Sequence, residues 1–289
     1  VLGILGFSML EEKQPEREET TLHQFTSAEE LKGFLKERQS GNYGSGFSGD
    51  TRLLTAKTAT AESASAEAAS DYSKTNIQVE GVDESDIVKS DGKYLYIVTG
   101  DKITIVDAYP AESAETLSTI DVNGYPEEIF INDNKLVIFG REKQEEIRPE
   151  PLAEREAMVS IRPYYYSAQS FIKIYNVEDR ANPELEDKIL FDGDYYDSRM
   201  VGDFVYAILN QPISYQKDVI ALPQMKMNEE NLDINPTDIA YFDIYDYSYQ
   251  LTTILSLDLN SNSVEKESFL TGYTQNIFVS EENIYLTST

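Results

Sequence analysis

The stretch TNIQVEGVDESDIVKSDGKYLYIVTG, residues 75–100, decides the fold. From Asp86 it holds two short apolar runs on either side of Ser90-Asp91-Gly92, residue types that accept the backbone angles of a tight hairpin turn. The same order returns as EIFINDNKLVIFG from Glu128, SRMVGDFVYAILN from Ser198 and NIFVSEENIYLTST from Asn276. Each copy reads as strand, polar turn, strand.

A second hairpin follows in each of the first three copies: KITIVDA with TLSTIDV, SFIKIYNV with ELEDKILFDG, and LTTILSLDL with VEKESFLTG. Four antiparallel strands make one propeller blade, and the 42-residue spacing between Ile87 and Ile129 matches a blade's period. The expected fold is therefore all-β, a β-propeller of four-stranded antiparallel blades, with about three and a half blades in this chain. Longer intervals mark insertions between second and third strands, 141–169 in copy two and 211–250 in copy three. Copy four stops after its second strand, which leads us to expect the front part of a larger propeller.

Ahead of the propeller, three segments are distinguished. Residues 1–24 open with VLGILGFSML, too short to span a bilayer, and continue as an acidic stem; they read as the remnant of a signal or anchor. Residues 25–40 form a short amphipathic helix: Ser27 with Glu30 makes a capping box, and Leu31, Phe34 and Leu35 share one face. This pattern does not say whether the helix folds back or serves as a handle. Residues 41–74, rich in Gly, Ser and Ala, form a linker, and 75–289 the propeller. Within the latter, 75–79 reads as a strand with Ile77 and Val79 on one face, expected to close the ring by joining a final blade. Gly81 would then turn the chain inward.

Composition excludes several functions. Asp and Glu number 52 against 24 Lys and Arg, and a net charge of −28 repels nucleic acid and anionic membranes. Without cysteine, disulfides, thiolate metal sites and thiol nucleophiles are absent. His23 is the single histidine, which rules out multi-imidazole zinc centres.

QVEGVDESDIVKSDGKY, followed by ITIVDAYPAE and preceded by the FTSAEELKGFL helix, resembles the secreted β-propeller-domain proteins of bacteria and archaea, a family distantly similar to WD40 propellers. The resemblance covers about 25–289 and implies an extracellular or envelope-associated propeller, signal-bearing or membrane-anchored and facing outside. It transfers no catalytic residues.

The acids of the opening stretch, Asp83, Glu84, Asp86 and Asp91, are the candidate calcium ligands, since calcium takes clustered carboxylate oxygens. Their spacing departs from a calcium-binding helix-loop-helix, so they read first as turn and blade-connection residues. Asp192, Asp194 and Asp197 in FDGDYYDS are a similar group between blades two and three. No other cofactor is indicated. Among 20 tyrosines, Tyr164, Tyr165, Tyr166, Tyr241, Tyr245 and Tyr247 cluster in or beside the insertions and are the candidate partner-binding residues. The expected function is an interaction or structural module for a protein or glycan at the cell surface. Its other expected partner is the remainder of its own propeller beyond residue 289, or another chain. The alternative is a glycoside hydrolase or lyase acting through paired carboxylates; no acid pair stands out, and no catalytic residue is named.

Overall fold

A computed structural model describes residues 21–39, 79–143, 169–216, 219–242 and 249–288. Ahead of the repeats lie a short strand β1 (Leu22–Gln24), the helix α1 (Ala28–Gln39) and the lead-in strand β2 (Val82–Glu84). Blade one is β3 (Val88–Ser90), β4 (Tyr94–Thr99), β5 (Lys102–Asp107) and β6 (Glu115–Asp121), paired in that order. Blade two is β7 (Gly124–Asn132), β8 (Lys135–Glu142), β9 (Gln169–Asn176) and β10 (Glu184–Asp192). Blade three begins with β11 (Asp194–Val201) and β12 (Phe204–Gln211). It resumes with β18 (Gln250–Asp258) and β19 (Val264–Thr271) after an insertion. A final hairpin, β20 (Thr274–Val279) with β21 (Ile284–Ser288), starts the fourth unit. The expected strand order is thus present in all three complete units.

The blades stack because their strands are apolar on both faces. In blade two, Ile129, Leu136, Ile138 and Phe171 turn toward Tyr96, Ile103 and Ile105 of blade one. Their immediate neighbours Phe130, Val137, Phe139 and Ile172 turn the other way, onto Val205, Leu209, Leu255 and Leu257 of blade three. The side-chain period of two sends alternate residues into different cores. The chain passes from the outer edge of one blade to the first strand of the next through a close turn. At Gly193 φ is +105°, and an added Cβ would lie 2.4 Å from the Asn210 carbonyl oxygen, so a larger residue would push the strands apart.

The insertion in blade three is itself structured. β13 (Ser214–Gln216) and β14 (Val219–Ala221) form a hairpin, and β15 (Met225–Met227) crosses back to pair with β10, carrying β16 (Glu230–Asn231) on its own far side. Blade three's insertion therefore widens blade two. Then β17 (Ile239–Phe242) runs parallel to β19, and β1 pairs with β17, so blade three's outer edge gains two strands.

Helix α1 folds back onto this enlarged edge. Leu31 and Leu35, one turn apart, are buried with Phe25, Ile239, Leu251 and Leu270. Ser27 Oγ accepts the Glu30 N–H at 3.1 Å, while the Glu30 carboxylate accepts the Thr26 N–H at 2.7 Å and the Thr26 hydroxyl at 2.6 Å. Side-chain and backbone hydrogen bonds from Thr26 hold that carboxyl below its ordinary range. This satisfies donors at the helix start that lack helical partners. Segment 22–39 is thereby an integral part of blade three. Of the expected closing strand, 75–78 lie outside the described residues; Val79 bridges Val82 around Gly81, whose φ is +82°.

Candidate functional site

The first strands of the blades converge, and the lead-in segment runs between them. β2 pairs antiparallel with β11, setting Val82 against Val201 and Glu84 against Arg199. Two residues later, Asp86 and Ile129 of β7 exchange backbone hydrogen bonds of 3.3 and 2.9 Å. The segment therefore touches blades three and two before it becomes blade one.

Three of its acids are held by cations of the same chain and the fourth by a backbone N–H. Lys89 Nζ, almost fully buried, donates to both oxygens of Asp83 at 2.8 and 2.9 Å and to the Glu84 carbonyl. Arg199 reaches the Glu84 carboxylate at 3.7 Å and Asp197 at 2.6 Å. Asp86 accepts the Ile87 N–H at 2.6 Å. Asp91 closes the first hairpin turn by accepting the Lys93 and Tyr94 N–H groups at 3.1 and 2.8 Å. It also accepts the Tyr96 hydroxyl at 2.9 Å and Arg180 of blade two at 3.3 Å. Burial, together with the Asp91 charge, pushes the Tyr96 phenol well above its usual range, so it stays a neutral donor. The four candidate calcium ligands thus separate into distinct ion pairs and turns. Among the described residues no group of three or more His, Cys, Asp or Glu is placed to hold a metal.

Beneath the lead-in lies a second layer that the repeat pattern did not single out. Glu128 Oε2 accepts the Ser85 hydroxyl at 2.6 Å and the Tyr195 hydroxyl at 2.7 Å; Ser198 Oγ lies 2.7 Å from the same phenol. The Tyr195 ring stacks on Phe139 at 4.5 Å, and burial, reinforced by the Glu128 charge, pushes its phenol far up. The next carboxylate along, Glu127, meets Arg141 at 2.8 Å, and Arg141 also lies 3.7 Å from Asp194. Burial raises the Glu127 carboxyl above its ordinary value; Arg141 opposes this, while Glu128 and Asp194 add to it. Among the described residues Glu127 is the one carboxyl shifted upward. The first layer, by contrast, has a signal in the sequence: Lys89 and Arg199 are lone basic residues beside apolar residues, where a cation needs a buried partner.

Both insertions join second to third strands, so they leave adjacent blades at the same end. There Asp192 accepts Gln169 Nε2 at 3.2 Å and the Gln224 N–H at 3.0 Å, which ties the blade-three insertion to blade two. Of the candidate tyrosines, Tyr241 is half-buried, stacked on Phe25 at 4.1 Å and edge-on to Phe34 at 4.9 Å. It seats α1. Tyr164, Tyr165, Tyr166, Tyr245 and Tyr247 lie outside the described residues.

A family model described as a beta propeller domain matches residues 72–289. An uncharacterized protein of Methanocaldococcus jannaschii is 25% identical over 267 residues, covering 89% of this chain and 36% of its own length. One of Archaeoglobus fulgidus is 23% identical over 235 residues, covering 75% and 32% respectively. The chain spans about a third of the length of these curated relatives. No solved structure matches.

Proposed function

The chain belongs to the beta propeller domain family, and we propose that it is an interaction module of the cell envelope or exterior that holds a protein or glycan. One observation carries this reading: the strand ends that carry the two long insertions, β8 with β9 and β12 with β18, lie at the same end of neighbouring blades on a stacked scaffold. Loops presented by such a scaffold are where binding residues gather. By contrast, the acids between the first strands are engaged with one another's cations and hydroxyls, so their work is to join blades. Tyr164, Tyr165 and Tyr166, with Tyr245 and Tyr247, supply insertion aromatics for contact. The net charge of −28 favours a basic or neutral partner. Replacing 144–168 by a short turn should abolish capture of envelope glycans or surface proteins from the native host while the blades melt unchanged. Capture that survives this replacement at full strength would sink the reading.

A second reading draws on Glu127. A carboxyl raised by burial, beside Asp194 and Arg141, has the character of a general acid in glycoside cleavage. Release of reducing sugar from a neutral polysaccharide, lost in Glu127→Gln with the fold intact, would favour it over binding alone.

A further inference from the structure

Three first strands break their register at one place. The pairing of β7 shifts between Pro126 and Glu128, that of β11 between Tyr195 and Asp197, and that of β20 between Thr274 and Asn276. The extra residues are Glu127, Tyr196 and Gln275, each three places after a glycine: Gly124, Gly193 and Gly272. A bulge takes one side chain out of the strand's alternation and re-aims it. Here it does so at one register position on three neighbouring strands, at the end that carries the insertions. The result is a polar row. Arg141 bonds Glu127 at 2.8 Å and reaches Asp194 at 3.7 Å, which joins blade two to blade three. The Tyr196 hydroxyl donates to the Gln275 carbonyl and extends the row to β20. Beside it Tyr125, two residues before Glu127, is 55% exposed, and Tyr273, two before Gln275, is 41% exposed. Neither ring enters a blade core.

We propose that this row binds a neutral sugar residue of a glycan, with the Tyr125 ring under the sugar's apolar face and Glu127, Arg141 and Asp194 on its hydroxyls. The proposal rests on the interaction reading, to which it adds the ligand's chemistry and residues of the blades themselves. A pyranose presents C–H groups on its faces and hydroxyls at its rim, so it suits an exposed aromatic ring set beside fixed donors and acceptors. Glu127 and Asp194 accept; Arg141 donates, and its side chain is 51% exposed, so a ligand can reach it. Charge decides which sugar. Burial raises the Glu127 carboxyl, with Arg141 opposing and the Glu128 and Asp194 charges adding to it, so further negative charge is disfavoured here. A uronate would bring that charge; a hexose or N-acetylhexosamine would not.

The test sets the 289-residue chain against immobilised neutral oligosaccharides of hexose and N-acetylhexosamine, with the corresponding uronate oligosaccharides beside them. The chain should bind at least one neutral member, and its uronate counterpart about tenfold more weakly. Tyr125→Ala should weaken the neutral interaction about tenfold with Tm unchanged, whereas Tyr125→Phe should retain it, since the ring and not the hydroxyl stacks. Tyr109→Ala removes a 71% exposed ring from the β5–β6 loop, at the other end of blade one, and should leave binding as it was. Glu127→Gln keeps an acceptor but drops the charge, and should narrow the gap between neutral and uronate ligands. Failure to bind any neutral oligosaccharide, equal binding of uronates, or undiminished binding by Tyr125→Ala overturns the proposal. The interaction reading is judged apart from it: capture of a surface protein from the native host, lost when 144–168 is replaced, keeps that reading standing even where every sugar fails.

Discussion

The two faces of blade three are built from the same strands and meet different neighbours. Toward blade two, Val205, Ala207, Leu209, Leu255 and Leu257 close a core with Phe130, Phe139 and Ile172, and none of them is more than 1% exposed. Toward β21, Phe204 is 44% exposed, Tyr206 and Ile254 are half-buried, and Glu265 and Glu267 face water. Two strands record the contrast. On β8, LVIFG is buried without a break, whereas on β19 VEKES alternates between half-buried and exposed before it ends in buried positions. A strand with cover on both sides reads as a continuous apolar run; one with a single covered face alternates. The difference teaches that the core is shared between blades, so that each blade depends on its neighbour for half of its burial.

The largest test sets the two faces against each other. Phe139→Ala should cost about 3–5 kcal/mol, because it opens a cavity beside Tyr195 and Phe130, while Phe204→Ala should cost less than about 1 kcal/mol. Equal shifts in urea midpoint would break the comparison. Next comes the lead-in pair. Lys89→Met leaves Asp83 unpaired, and because the Asp83 side chain keeps 30% exposure the expected loss is about 2 kcal/mol rather than that of a fully buried ion. Adding Asp83→Asn should restore part of it, which a double-mutant cycle measures directly. Ser27→Ala removes the cap of α1 and should cost about 1 kcal/mol, read as faster hydrogen exchange in α1 with β4 and β8 unaffected.

Acid sharpens the picture through two carboxylates of blade two. For Glu186, burial pushes upward, but hydrogen bonds from Lys135, Asn262 and Asn176 outweigh it and hold the carboxyl below its ordinary 4.5. Its contribution is present above that value and is lost as pH falls through the folded one. Glu186→Gln should therefore be destabilising at neutral pH and progressively less so below about 4.5. Glu127 is raised by burial, so the folded state holds its proton more tightly and its ionised form opposes folding. Glu127→Gln should accordingly stabilise at neutral pH, with the gain vanishing as pH falls past the same region. Matched pH series of Tm for the two variants should diverge in opposite directions; parallel curves would refute the assignment. The smallest expected effect is that of calcium. Asp83, Glu84 and Asp91 already hold Lys89, Arg199 and Arg180, so millimolar calcium should shift Tm no further than sodium at equal ionic strength. A larger, chelator-reversible shift would support the calcium reading.

Much of this was legible from residues alone. The turns at Asp91, Asp133 and Asp203 and the apolar runs beside them set strand, register and unit length, because a hairpin is decided by neighbours a few residues apart. The Ser27–Glu30 cap is equally local. The acids at 83–86 were legible as charge but not as partners: Glu84 meets Arg199, and Ser85 meets Glu128, across long separations in sequence. The same holds for Tyr241, whose place in an insertion suggested a surface role, whereas Phe25 and Phe34 cover it.

Local pattern therefore determined the strands, their hairpins and their grouping by four, since backbone angles and side-chain alternation act within a few residues. Tertiary packing decided the rest. It placed α1 and β1 on blade three, sent β15 back to widen blade two, and ran β2 along the first strand of blade three. Those choices depend on which apolar edge lies open, and where a distant cation finds a carboxylate, once the blades have stacked. Short-range periodicity carries no record of either.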